Sequence, residues 1–162
     1  NVATPEEILS GKKIAGDKVV IVDQTGFIVG LGVAEFLANQ GKQVEIVTSD
    51  PYVGAYLPPT LQFPWVYARI MSKVTLTPHT LVKEISDHTV TTINAHSFQE
   101  GKIEGVDTVV LATAKQPNDG LYKALLGSGL EVHLIGDANY AVNASDGIGQ
   151  AVRAGHDVSL QL

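Results

Sequence analysis

Cysteine is absent from the 162 residues. Disulfides, thiolate-ligated zinc and cysteine-held iron–sulfur clusters are therefore excluded from this chain. Aromatic residues make up only 6%, with a single Trp and a single Met. Positive charge is also scarce: 11 Lys and Arg stand against 17 Asp and Glu, for a formal net charge of −6. No basic stripe offsets this balance, which argues against a reader of DNA or RNA phosphates. Long apolar runs are missing. Aliphatic stretches such as Val19-Val20-Ile21-Val22 fall far short of the roughly 20 residues a membrane-spanning helix needs. The chain opens on Asn1 rather than Met, and no signal-peptide pattern follows. We read it as a piece of a longer cytoplasmic polypeptide, with neither nucleic acid nor membrane as a partner.

What is present suits a packed core. Hydrophobic residues reach 44% and charged residues 17%, enough for one domain or two small ones. Thr4-Pro5-Glu6-Glu7 predicts a helix start, with Thr4 as cap, Pro5 in the first turn and Glu7 reaching back. Lys18–Val22 predicts a buried strand, Gly30–Gln40 a helix closed by Gly41, and Gln43–Thr48 a second strand. Strand, glycine-bearing turn, helix and strand make a βαβ unit with a parallel sheet. Further on, Trp65–Ser72 predicts a helix and Val74–Thr77 a strand. Thr80–Ile85, Thr89–Asn94 and Ser97–Glu100 alternate with period two between hairpin-length separators. Val106–Ala112 and Glu131–Ile135 predict strands, Asp119–Leu126 and Asn143–Leu160 helices. The fold class is α/β: a Rossmann-like three-layer fold with a parallel sheet and a small antiparallel β-meander.

Three places could carry nucleotide chemistry. The first is the turn Asp23-Gln24-Thr25-Gly26-Phe27-Ile28-Val29-Gly30. Glycines in such a turn let the backbone approach a pyrophosphate, which the helix N-terminus then attracts. The spacing here is Gly26-x-x-x-Gly30-x-Gly32 rather than G-x-G-x-x-G. Asp23 places a negative charge where phosphates would come, unless it faces away. A turn that keeps its shape without binding phosphate fits equally well. The second place is Thr48-Ser49-Asp50, about 20 residues on, where an acid would meet a ribose; Ser49-Asp50-Pro51 is also simply a turn. The third is Gly136-Asp137-Ala138, where a carboxylate could accept from ribose or ribityl hydroxyls, or merely cap a loop. Thr113 closes a buried strand in small residues that permit a close crossover beneath a cofactor.

The candidate cofactor-binding residues are thus Gly26, Gly30, Gly32, Thr48, Ser49, Asp50, Thr113, Gly136, Asp137 and Ala138. No catalytic residue and no metal ligand is assigned. His79, His88, His96, His133 and His156 show no metal spacing and read as solvent-facing or hydrogen-bonded. Trp65, Tyr67 and Met71, at near-helical spacing, read as core. A receiver domain is excluded, because residues 60–75 hold no acid to accept a phosphoryl group.

Several segments together resemble the C-terminal dinucleotide-fold region of the NADH:flavin oxidoreductases related to trimethylamine dehydrogenase, dimethylamine dehydrogenase, histamine dehydrogenase and 2,4-dienoyl-CoA reductase. They are Thr-Pro-Glu-Glu-Ile-Leu-Ser-Gly (4–11), Lys-Val-Val-Ile-Val-Asp (18–23) and Gly-Val-Ala-Glu-Phe-Leu-Ala-Asn-Gln-Gly (32–41). Val-Val-Leu-Ala-Thr-Ala-Lys-Gln-Pro-Asn-Asp (109–119) and His-Leu-Ile-Gly-Asp-Ala (133–138) extend the match, and Thr-Leu-Gln-Phe-Pro (60–64) points to the amine-dehydrogenase branch.

The resemblance implies a larger parent oxidoreductase with FMN and a four-iron cluster upstream. Residues 17–105 would be an NAD(P)-like Rossmann domain, and 1–16 with 106–162 parts of an FAD-like domain. Gly136 and Asp137 would belong to a partial FAD or ADP site. Partners would be the rest of the parent chain and an electron-transfer flavoprotein. The family's Ala-Thr-Gly is Ala112-Thr113-Ala114 here, and Asp23 interrupts the phosphate turn. Both departures imply a degenerate dinucleotide site and no chemistry by this chain alone. The alternatives are an active NAD(P)H module feeding electrons to flavin and a non-catalytic interaction domain.

Overall fold

The computed structural model describes residues 1–139 and 144–159. Two compact units divide the chain, Asn1–Thr113 and the residues from Ala114 onward.

In the first unit, β-branched strands form the centre. The elements run β1 (Val2–Ala3), α1 (Pro5–Leu9), β2 (Lys18–Asp23), α2 (Ile28–Asn39), β3 (Gln43–Val47), α3 (Phe63–Ile70) and β4 (Val74–Thr77). They continue with β5 (Thr80–Ser86), β6 (Thr89–Asn94), β7 (Glu100–Glu104) and β8 (Thr108–Ala112). One sheet has the order β1-β8-β2-β3-β4, and every pairing in it is parallel. The other is the antiparallel meander β5-β6-β7.

Alternation along the parallel strands assigns each face its own cover. Val19, Ile21, Val44, Ile46 and Val110 face the helices, packing with Ile8 of α1, Leu31, Ala34 and Leu37 of α2, and Val66 and Ile70 of α3. Val20, Val22, Val47 and Val109 face the meander, packing with Val90 and the half-buried Val82, Ile85 and Ile103. The unit is thus a three-layer α/β fold with helices on one side and a small sheet on the other.

Local signals explain the ends of the helices. Thr4 and Glu7 form a reciprocal capping box on α1. Beyond α2, the Gly41 and Lys42 N–H groups donate to the carbonyls of Ala38 and Leu37, closing the last turn. The second unit holds α4 (Gly120–Leu125), a 3-10 turn at Gly136–Ala138, and α5 (Ala144–Ser159). The expected helix ends at Asn143 and Leu160 lie outside the described residues.

Three expectations are corrected. The third meander strand is Glu100–Glu104 rather than Ser97–Glu100, because Asn94 accepts from the His96 and Ser97 N–H groups and Phe98 turns left-handed. That turn delays the strand by three residues. Glu131–Ile135 pairs in no strand ladder, since the described part of the second unit contains no strand beside it. Trp65 and Met71 are 73% and 65% exposed rather than core, because α3 buries Val66 and Ile70 on the opposite side.

The packing predicts where the first unit is sensitive. Leu31→Ala removes a fully buried side chain and is expected to lower stability by about 2–5 kcal/mol in urea unfolding. Ile14→Ser, at a residue 93% exposed, is expected to change it by no more than about 0.5 kcal/mol.

Candidate functional site

The strand order reverses between β2 and β8, since the chain leaves β2 for β3 on one side and returns to β8 on the other. Ligands of open α/β sheets bind at such a switch point, outside the carboxyl ends of the strands. Here that place is the turn after β2. Asp23 ends β2 and lies in register with Ala112 of β8, while the Gln24 N–H donates to the Ala112 carbonyl at 3.0 Å. Thr113 follows on the same edge, half-buried.

Asp23 organises this turn. Its side chain is fully buried. Oδ1 accepts from the Thr25 N–H at 3.0 Å, the Thr25 hydroxyl at 2.8 Å and the Gly26 N–H at 3.2 Å. Thr25 Oγ1 in turn accepts from the Phe27 N–H at 3.4 Å. Among the described residues, Asp23 Oδ2 is buried with no hydrogen-bond partner. Burial raises the carboxyl pKa above the ordinary Asp value and the Asp50 charge adds to the rise, while the bonds from Thr25 and Gly26 oppose it.

The glycines serve this arrangement. A Cβ on Gly30 would stand 2.9 Å from Asp23 Cγ, so α2 packs directly on the carboxylate. Gly26 has φ +63, a conformation that favours glycine. A Cβ there would meet the Tyr56 ring at 2.5 Å and an Asp50 carboxylate oxygen at 3.1 Å. The Tyr56 N–H donates to the Gly26 carbonyl at 2.9 Å, and its ring meets Phe27 at a centroid distance of 5.5 Å. The segment around Tyr56 therefore lies across the turn.

The other expected residues distribute as follows. Thr48 is buried, and its N–H donates to Thr77 while its carbonyl accepts from Thr80. Its hydroxyl accepts from the Asp50 N–H at 3.2 Å. Ser49 is exposed and Asp50 half-buried. Gly32 sits in the second turn of α2 with nothing within 4 Å of a built Cβ, away from the turn. Gly136, Asp137 and Ala138 belong to the second unit. There the Asn139 N–H donates to the Gly136 carbonyl and the Asn139 amide donates to Gln150 of α5; Asp137 is exposed. The carboxyl edge of the first unit thus gathers Gly26, Gly30, Thr48, Asp50 and Thr113.

Sequence reasoning assigned no role to Thr25 or Tyr56 at this edge, and missed a second aromatic group beside it. Phe63 contacts Tyr52 and Tyr67, at 5.5 and 4.2 Å between ring centroids, and the Tyr67 hydroxyl donates to the Val53 carbonyl at 2.6 Å. One signal was present: an Asp two residues before a Thr is the pattern of a side chain that bonds its own turn. The aromatic contacts join residues with no periodic relation.

The Asp23 carboxyl makes stability depend on pH. A carboxyl that holds its proton more tightly when folded contributes its full stability at acidic pH and loses it as pH rises through the raised value. Asp23→Asn keeps an acceptor toward Thr25 and Gly26 without the charge. The variant is expected to melt above the wild type at about pH 7, with the gap closing toward about pH 4. A gap independent of pH in the same calorimetric scans would rule out the charge as its source.

Comparison with known proteins follows the same architecture. The family model for the OYE-like second alpha/beta domain matches residues 3–109. The N,N-dimethylglycine/sarcosine dehydrogenase of Chromohalobacter salexigens is 33% identical over 125 residues, covering 74% of this chain and 18% of that protein. The 6-hydroxypseudooxynicotine amine oxidase of Pseudomonas geniculata N1 superposes with a TM-score of 0.85 at 26% identity, over 95% of this chain and 24% of that one. Histamine dehydrogenase from Rhizobium sp. 4-9 shares the fold, with a TM-score of 0.83 at 23% identity, over 95% of this chain and 25% of that one. The chain spans less than a fifth of the curated relative's length and about a quarter of the two solved ones. By the match over most of the first unit, the chain belongs to the OYE-like second alpha/beta domain family.

Proposed function

We propose that this chain is the nucleotide-fold module of a larger flavin oxidoreductase acting on an amine, and that its own dinucleotide site is degenerate. The names of two relatives support the amine class: a dimethylglycine/sarcosine dehydrogenase and an amine oxidase. In this reading FMN and a four-iron cluster stand elsewhere in the parent and supply its electron chemistry. The residues of this chain supply architecture. Residues 17–105 are read as the NAD(P)-like part, and 1–16 with 106–162 as parts of an FAD-like domain. β8 pairs with β1 on one side and with β2 on the other. The partners are the rest of the parent chain and an electron-transfer flavoprotein.

One observation carries the degenerate site. A dinucleotide turn works by leaving backbone N–H groups free for a pyrophosphate. Here the Thr25 and Gly26 N–H groups already donate to Asp23 Oδ1. The carboxylate is an internal anion in the place of an external one, and a second anion beside it is repelled. Tyr56 further covers Gly26. These residues do not fit a bound diphosphate, so no hydride transfer from a nicotinamide is derived for this turn. At Gly136–Ala138 the exposed Asp137 carboxylate fits one part of an ADP or FAD site, as an acceptor for sugar hydroxyls. A Cβ built on Gly136 would meet nothing within 4 Å among the described residues, while one built on Gly147 of α5 would stand 3.5 Å from the Gly136 Cα.

Calorimetric titration of the chain with NADH and NADPH tests this reading. No saturable binding at micromolar concentration is expected for either. Micromolar binding that Gly30→Val weakens would establish an active NAD(P)H module instead.

A further inference from the structure

A pair of histidines outside this turn stands within hydrogen-bond distance. His79 follows β4, and His96 lies in the turn between β6 and β7. His96 Nε2 stands 3.0 Å from His79 Nδ1, with ring centroids 4.8 Å apart. Two imidazoles sharing one ion at about 2.0–2.1 Å, with an angle near 90–110°, hold their nitrogens about 2.9–3.4 Å apart. The observed separation falls in that range, and a small turn of the rings brings both lone pairs onto one ion in place of the hydrogen bond they share.

The backbone holds the pair in place. His79 has φ +53, a left-handed conformation that few L-residues adopt. Its N–H donates to the Asp50 carbonyl at 3.0 Å, and its own carbonyl accepts from the Ala95 N–H at 2.7 Å. That last bond joins the two histidine-bearing turns directly. The His96 N–H donates to Asn94 Oδ1 at 3.0 Å, fixing the second turn. His96 is exposed and His79 half-buried, so an ion can reach the nitrogens from solvent. Such tethering lowers the ordering cost of binding.

We propose that His79 and His96 form a two-imidazole site for a first-row divalent transition-metal ion of the Cu2+, Ni2+ or Zn2+ class. His79 Nδ1 and His96 Nε2 are the donors. Each ring carries its proton on the other nitrogen when the ion is bound, and the hydrogen bond between the rings is replaced by two coordinate bonds. Among the described residues no group of three or more His, Cys, Asp or Glu side chains converges to hold a metal. The remaining positions are filled by water, which suits an exchangeable ion. This inference is independent of the reading of the Asp23 turn.

The test uses the full chain with Cu2+, Ni2+ or Zn2+ as the only ligand. Calorimetry is expected to show saturable binding, and Cu2+ paramagnetic resonance to show imidazole nitrogen coupling. His96→Gln and His79→Asn, the latter tolerant of the left-handed backbone, are each expected to weaken binding about tenfold or more. His133→Gln, whose ring bonds Glu131 in the second unit, is expected to leave it unchanged. Zn2+ is expected to raise the melting temperature of the wild type but not of His96→Gln. Unchanged binding in the double variant, or no saturable binding by the wild type, overturns the site. So does a loss of melting temperature in the variants with no dependence on the ion, which would make the pair a structural hydrogen bond.

Discussion

A carboxylate that accepts from its own turn is the interaction on which the carboxyl edge of the first unit depends. Asp23 ends the central strand β2 and turns its side chain inward to take the Thr25 and Gly26 N–H groups. The consequences spread from there. The helix α2 can pack on the carboxylate only because Gly30 has no Cβ. Gly26 takes a left-handed conformation and offers its carbonyl to Tyr56, which draws the following segment across the turn. On the proposed reading, each contact closes space that a pyrophosphate would need. The arrangement also leaves Asp23 Oδ2 buried without a partner among the described residues, a cost that a structure tolerates where the surrounding bonds over-determine the turn.

The architecture around this turn is held by apolar packing. The two faces of the parallel sheet are served by separate apolar sets, one under the helices and one under the meander. Neither set includes the turn's polar atoms. On the proposed reading, the fold keeps its shape while the loop no longer serves phosphate, because the core and the loop draw on different residues. The match to the OYE-like second alpha/beta domain family spans residues 3–109, turn and core together.

Much of the fold was legible in the sequence because it rests on local signals. The Thr4 and Glu7 capping box, the β-branched β2 and the helix closed by Gly41 were all readable from adjacent residues. β1 was not, since two residues carry no period. Ser97–Glu100 was misplaced because the Asn94 side chain, rather than the alternation, decides where the turn ends. At the site, the sequence showed that Asp23 was out of place for a phosphate loop, but not which way it faced. That depends on burial and on Tyr56, thirty-three positions later in the chain. The pairing of His79 with His96 was equally hidden, because it is created by the meander folding back on β4 rather than by any spacing.

The central claim is that the amides of the turn are already occupied by an internal anion. The most direct measurement is the 1H–15N shift of the Thr25 and Gly26 amides, followed first across pH and then with added pyrophosphate. The account predicts that both amides move together on one titration with a midpoint above that of an ordinary aspartate, and that pyrophosphate leaves them in place at neutral pH. Amides that ignore pH and shift with pyrophosphate would contradict it.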